Sequence, residues 1–352
     1  MDKRTITDDH RPRLPPFEEI YKDLHQNPEL SRQKVRTASI VASHLDALHD
    51  FIVYRNIGGH GVVDVLHNGS GPTVLLRADM DALPHLEATG LPYASTKTAK
   101  NAEGETTPVM HACGHDMHTA TLMPPQTEEI AYGEKSMVAD GLYEKVSIPD
   151  TVIGQYIHAI KAGVVALSGG PVLTAVDSFE IRIYGESGHV SRPDLCVDPV
   201  ITAAHIVVHE LLIAAVKRLV RAECEASGSL VVREQEFKTM MHTPATISDI
   251  HNAAILKAQF KEYFRGNAID KDPFGASEDF SPLSTACWAL YVFYMWGYVN
   301  KETWDEAERE GKIRSIPHNY STFFAPVIQP TLMGVDAFSV AALTFLGEGS
   351  DT

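Results

Sequence analysis

Across residues 35–51, apolar side chains recur at Ala38, Val41, Leu45 and Leu48, the spacing that lays one stripe along a helix. The pattern then changes: residues 62–66 and 73–76 are short β-rich runs that read as strands, with Asn68-Gly69 a turn signal between them. The second run delivers Arg77, Asp79 and Asp81 just past its C-terminal end, where open α/β sheets place their sites. Further on, Phe179, Ile181 and Ile183 alternate with Glu180, Arg182 and Tyr184, as on a half-buried strand. Residues 200–209, 211–226 and 255–264 carry helical patterns, and the apolar run 289–296 reads as a buried strand. Residues 330–346 read as a closing helix with Leu332, Val335, Phe338 and Leu343 on one face. A short helix is expected to start near Asp116 and to stop at Pro124-Pro125. The polar, proline-bearing residues 1–16 read as a loose arm.

Composition narrows the function classes. The chain has 352 residues, 44% hydrophobic and 22% charged, enough for two domains and a large core. A formal charge of −16 argues against nucleic acid as partner, since phosphates would be repelled. No apolar run approaches a membrane span, and the first residues lack the apolar core of a signal peptide, so a cytoplasmic protein is expected. Cys113, Cys196, Cys224 and Cys287 are widely spaced, without Cys-x-x-Cys, which fits a reduced compartment.

Candidate chemistry is concentrated in one stretch. His111, Cys113, His115, Asp116 and His118 fall within residues 111–118, and Glu128 and Glu129 follow shortly after. Thiolate, imidazole and carboxylate are the donors a first-row divalent metal takes, and glycine between Cys113 and His115 lets the backbone fold tightly enough to aim both at one ion. A lone buried Cys or His is ordinarily packing, and a Glu-Glu pair is ordinarily a solvated helix face. Donors this crowded are hard to bury without a cation. A structural zinc module fits poorly, because the spacing is not that of closed Cys/His sites.

Seven stretches in order carry a resemblance: Y-K-D-L-H-Q-N-P-E-L-S (residues 21–31), I-G-G-H-G-V-V-D-V-L (57–66), L-R-A-D-M-D-A-L-P (76–84), H-A-C-G-H-D-M-H (111–118), S-G-H-V-S-R-P (187–193), S-E-D-F-S (277–281) and F-F-A-P-V (323–327). On these the chain resembles the metal-dependent amidohydrolases of peptidase family M-twenty, which include hippurate hydrolases, aminoacylases and auxin-conjugate hydrolases. The resemblance implies an α/β fold: a metallopeptidase-type catalytic domain with a central mixed sheet flanked by helices, plus an α+β lid. The corresponding division is residues 1–170 and 228–352 for the catalytic domain and 171–227 for the lid. Relatives carry a further helix and strand before the Glu-Glu pair, and more strands between the two lid helices. Both segments are missing here, so the lid is truncated and a homodimer built through it is in doubt.

The resemblance also implies roles. Cys113, His115 and Glu129 would ligate a divalent centre, two ions of manganese, zinc or cobalt, with Asp79 orienting a ligand. Glu128 would act as general base toward metal-activated water, and His189 would stabilise the oxyanion. Glu278 and Asp279 read as structural neighbours. The substrate class implied is an N-acyl amino acid or small peptide conjugate. Two departures stand out: Tyr156 and Tyr320 occupy positions where relatives carry ligand histidines, with His158 and His318 each two residues away. An enzyme of this type and a catalytically impaired relative keeping a metal- or ligand-binding scaffold are both consistent with the sequence.

Overall fold

The computed structural model describes residues 3–123, 134–187, 197–200, 202–203, 213–227 and 236–347. Its contacts divide the chain into two compact units, Met1–Thr174 with Ala245–Thr352, and Ala175–Pro244.

In the larger unit the helical stripe forms as Val35–Asp46, burying Val41 and Leu45. Its first turn has no cap of its own, and Glu29 supplies one. That carboxylate accepts from the Arg36 and Thr37 backbone N–H groups at 3.1 and 2.7 Å and from the Thr37 hydroxyl at 2.8 Å. The Glu29 carbonyl in turn accepts from the Ala82 N–H at 2.8 Å, fastening this loop to the segment that carries Asp79 and Asp81. The first residues are not a free arm. They form a helix, Lys3–His10, and Arg11 just after it holds the buried Asp336 through two bonds of 2.7 and 2.6 Å.

Strands β1 (Phe51–Ile57) and β2 (Gly61–Leu66) form an antiparallel hairpin. Its turn needs Gly58, which has φ +63° and lies so close to the Met137 backbone that a Cβ would approach the Met137 nitrogen to 2.5 Å. The Asn68-Gly69 signal therefore does not close a hairpin between β2 and β3 (Val74–Arg77). It connects two different sheets, because β3 pairs in parallel with β6 (Thr151–Lys161). A small hairpin, β4 (Thr98–Lys100) with β5 (Thr106–Pro108), follows β3 in the chain.

The central sheet has the order β12-β7-β13-β6-β3, where β7 is Val165–Ala166, β12 is Ala268–Ile269 and β13 is Leu290–Val299. β13 runs parallel to β6 and antiparallel to β7, so the sheet is mixed, as the resemblance implied. Val292 through Val299 of β13 are buried, which accounts for the unbroken apolar run in the sequence. Helices Ile250–Phe264 and Gly334–Phe345 pack on this core through Leu256, Phe260 and Phe338. Beside the sheet, β8 (Gly170–Leu173) pairs with β11 (Thr246–Ser248).

In the smaller unit β9 (Val176–Arg182) pairs antiparallel with β10 (Glu236–Thr243). The strand read at residues 179–183 therefore has a neighbour, supplied by residues whose pattern was not read as a strand. Helix Ile213–Ala226 places Val220 and Cys224 against Ile181, Ile183 and Phe237. Among the described residues no helix is long and apolar enough to cross a membrane.

Candidate metal centre

The site assembles past the C-terminal end of β3, alongside the middle of β6, where Arg77 lies opposite Gly154. Facing these ends is helix His115–Leu122, which starts at Gly114 with φ +81°. A side chain there would meet Ile157 Cγ2 at 2.5 Å, so glycine is what lets the Cys113–His115 turn lie flat on β6. Asn319 ties a third segment in, donating to the Cys113 carbonyl at 3.2 Å and the Ile157 carbonyl at 3.3 Å, while the Tyr320 N–H reaches the Ala112 carbonyl at 2.8 Å.

Two histidines one turn apart on that helix have different fates. His118 is fully committed: Nδ1 pairs with Asp79 Oδ1, and Nε2 accepts the Ile157 backbone N–H at 2.9 Å. It is close enough to Asp79 and His115 to belong to a metal-sized group, but it has no nitrogen left to offer. His115 has its Nδ1 held by Asp81 at 3.1 Å, and its Nε2 points inward to Asp79 Oδ2 and to the Tyr156 hydroxyl, each at 3.3 Å. An imidazole steered by a carboxylate on one nitrogen, with its other nitrogen among exchangeable polar groups, resembles the arrangement of a metal ligand. Asp79, which the resemblance expects to orient a ligand, bonds His118 Nδ1 and also faces His115 Nε2.

Cys113 is 3% exposed and interacts with His115, Tyr156 and Tyr320, shifting the protonation of each. The structure thus brings Cys113 and His115 together, as read from the sequence, with Tyr156 and Tyr320 around them. Glu128, Glu129 and His189 lie outside the described residues. His158 packs edge-on against Phe274, with ring centroids 4.5 Å apart, and its charged neighbours are Lys271 and His318. Burial, aided by those two, pushes its pKa down to about 4.

Behind the donors lies a charge cluster that no local pattern announced. Arg77, 2% exposed, binds Glu134 at 2.5 Å, Glu278 at 2.8 Å, Asp79 at 3.1 Å and Asp279 at 3.2 Å. Burial and the neighbouring acids push Glu278 up to about 8, while the Arg77 guanidinium pulls the other way. Burial likewise drives Glu134 well above the carboxylate range. Burial disfavours a charged His115, yet Asp79 and Asp81 outweigh it and raise its pKa well above the ordinary value. The two acids thus favour positive charge at this point, and carboxylate and imidazole side by side are donors that a divalent cation takes.

A second cluster sits on the other side of the same helix. His25 Nδ1 bonds Asp116 at 2.7 Å and Nε2 bonds Glu87 at 3.1 Å, all buried. Glu87 is itself held by the Ser95 N–H at 2.6 Å and by the Thr89 hydroxyl. His111, a sequence candidate, is buried nearby with neither ring nitrogen hydrogen-bonded among the described residues, and burial lowers its pKa to about 4.

A mixed sheet carrying acids, imidazole and thiol beside its strands defines the class of fold as α/β with a candidate polar site, and comparison with known proteins gives its relatives. Residues 75–123 match the model of Peptidase family M20/M25/M40. The chain is 37% identical over 238 residues to hippurate hydrolase of Campylobacter jejuni, covering 61% of this chain and 57% of that protein. It is 30% identical over 240 residues to IAA-amino acid hydrolase ILR1-like 4 of Arabidopsis thaliana, covering 62% and 50% respectively. The chain therefore spans about half the length of these curated relatives. Its fold is that of the Bacillus subtilis YXEP protein, described as a dinuclear metal binding peptidase from the M20 family: TM-score 0.66 at 19% identity, over 93% of this chain and 96% of that one. Residues 75–123 thus match the M20/M25/M40 peptidase family, and over about 240 residues the chain is similar to the hippurate and IAA-amino acid hydrolases, as its ordered motifs indicated.

Proposed function

We propose that this protein is a divalent-metal amidohydrolase that cleaves the amide bond of N-acyl amino acids or small peptide conjugates. The observation that carries the reading is His115: Asp81 holds one ring nitrogen at 3.1 Å and the other is turned toward Asp79, with the Cys113 thiol beside the ring. The names of the hippurate and IAA-amino acid hydrolase relatives support the substrate class. When bound, the ion supplies Lewis acidity toward a carbonyl and lowers the pKa of water. Cys113 and His115 hold it, with Glu129 as a further ligand. Glu128 takes the proton from water and gives it to the leaving amine, and His189 steadies the oxyanion. Manganese, zinc and cobalt all suit the donors. The protein acts in the cytoplasm, and the short second unit disfavours a homodimer.

Glu128→Gln should lower cleavage of hippurate or an N-acetyl amino acid by at least about 100-fold, with metal content unchanged. Full activity in this variant would remove Glu128 from the mechanism. An impaired relative that keeps only the scaffold is the second reading, favoured by the tyrosines at 156 and 320. Bound metal without any amide cleavage by the unaltered chain would select it.

A further inference from the structure

β3 ends at Arg77, opposite Gly154, whereas β6 runs on to Lys161. Among the described residues, therefore, β6 has no strand beside it on that flank from Gln155 onward. A strand that loses its neighbour must have its amide and carbonyl groups met in another way. At Ile157 side chains meet both: the N–H donates to His118 Nε2 at 2.9 Å, and the carbonyl accepts from Asn319 Nδ2 at 3.3 Å. The same Nδ2 donates to the Cys113 carbonyl at 3.2 Å. One half-buried amide, with two hydrogens to give, thus bridges β6 and the turn that opens helix His115–Leu122.

Both ends of this bridge adjoin a contact inside the centre. Ile157 directly follows Tyr156, Cys113 stands two before His115, and the Tyr156 hydroxyl lies 3.3 Å from His115 Nε2. The segment that carries Asn319 is itself fastened on both sides. The Tyr298 hydroxyl donates to the Pro317 carbonyl at 2.6 Å, and the Tyr320 N–H donates to the Ala112 carbonyl at 2.8 Å. Tyr320 takes φ +70°, a left-handed conformation that residues other than glycine adopt only where their surroundings hold them. We propose that Asn319 is a positioning residue of this centre: together with His118 it stands in for the strand that β6 lacks, and it sets the spacing between Tyr156 and His115. This rests on the hydrolase reading above and adds to it a residue that acts through others.

The test compares Asn319→Asp, which keeps the shape and has no hydrogen to donate when ionised, with Asn319→Ser, which keeps one donor, both in the full chain. In Asn319→Asp, kcat for hippurate or an N-acetyl amino acid should fall about 100-fold with KM changed less than about threefold, the loss that a misplacement of about 1 Å produces. Asn319→Ser should lose less. Loss of fold alone would lower activity only in proportion to the unfolded fraction, so NMR spectra of isotope-labelled histidine ring nitrogens are read alongside. The His115 and His118 signals should move in each variant while those of His25 stay. If Asn319→Asp does not fold, Asn319→Ser decides by the same two readings. Unchanged kcat, unmoved His115 and His118 signals, or equal movement at His25 would each overturn the proposal. An unaltered chain that cleaves no amide would bring down the hydrolase reading, and the ring signals alone would then judge Asn319.

Discussion

Helix His115–Leu122 serves two imidazole–carboxylate clusters, and they differ in one respect that decides what each can do. In the first, His25 is closed: Asp116 takes one ring nitrogen and Glu87 the other, all of them buried. In the second, Asp81 takes one nitrogen of His115, and the other meets Asp79 and the Tyr156 hydroxyl, each at 3.3 Å. Imidazole and carboxylate occur in both, so composition cannot tell a fastener from a ligand. The difference lies in the company of the second nitrogen: a single buried carboxylate for His25, a cluster of polar groups with an acid already bound to Arg77 for His115. A self-contained buried ion pair fixes structure, whereas an imidazole in a shared cluster is the one whose partners a guest could replace.

The comparison can be broken most forcefully at Asp116. Asp116→Asn leaves the buried His25 facing Glu87 alone and should cost about 3–5 kcal/mol in urea unfolding, with metal affinity essentially unchanged. An equal loss of metal affinity would mean that the two clusters are not separate. Next comes pH. Burial opposes a charge on His25, but Asp116 and Glu87 outweigh it and raise its pKa to about 9. Its folded-state pKa thus lies above the unfolded value of about 6.5, so the stabilisation is whole below about pH 6.5 and is lost as pH rises through about 9. Stability should fall over that interval by an amount of order 3 kcal/mol, and His25→Gln should flatten the profile. The smallest effect belongs to the open cluster. Asp81→Asn should weaken metal binding by about 10–100-fold in calorimetry, since His115 would lose the group that aims it. Unchanged affinity would show that His115 is not a ligand.

Much of this could be read from the chain because its chemistry is local. The residues 111–118 stretch packs candidate donors and a necessary glycine into one turn, so Cys113 and His115 could be singled out as neighbours without any tertiary information. Helices with clear stripes, such as Val35–Asp46 and Ile250–Phe264, were equally accessible. What escaped depends on distant partners. Glu134 is an unremarkable glutamate until Arg77, 57 residues earlier, is seen buried against it. Arg11 marks an anchored segment only once Asp336, 325 positions away, is known to receive it. The Asn68-Gly69 turn signal was right as far as it went: it says that the chain changes direction, and the identity of the next neighbour is set by the sheet. His115 and His118 share type and helix, and nothing in the sequence says that the Ile157 amide will engage one of them.

One feature of helix His115–Leu122 reaches past both clusters. Its first four residues carry His115, Asp116 and His118, which are gripped by Asp81, His25 and Asp79 from different directions. A rod clamped at several angles cannot roll. Drift in the segments around it would therefore have to tear out all three grips before the inward-facing nitrogen of His115 changed its bearing, so the aim of this ligand is among the last things that accumulated substitution elsewhere would spoil.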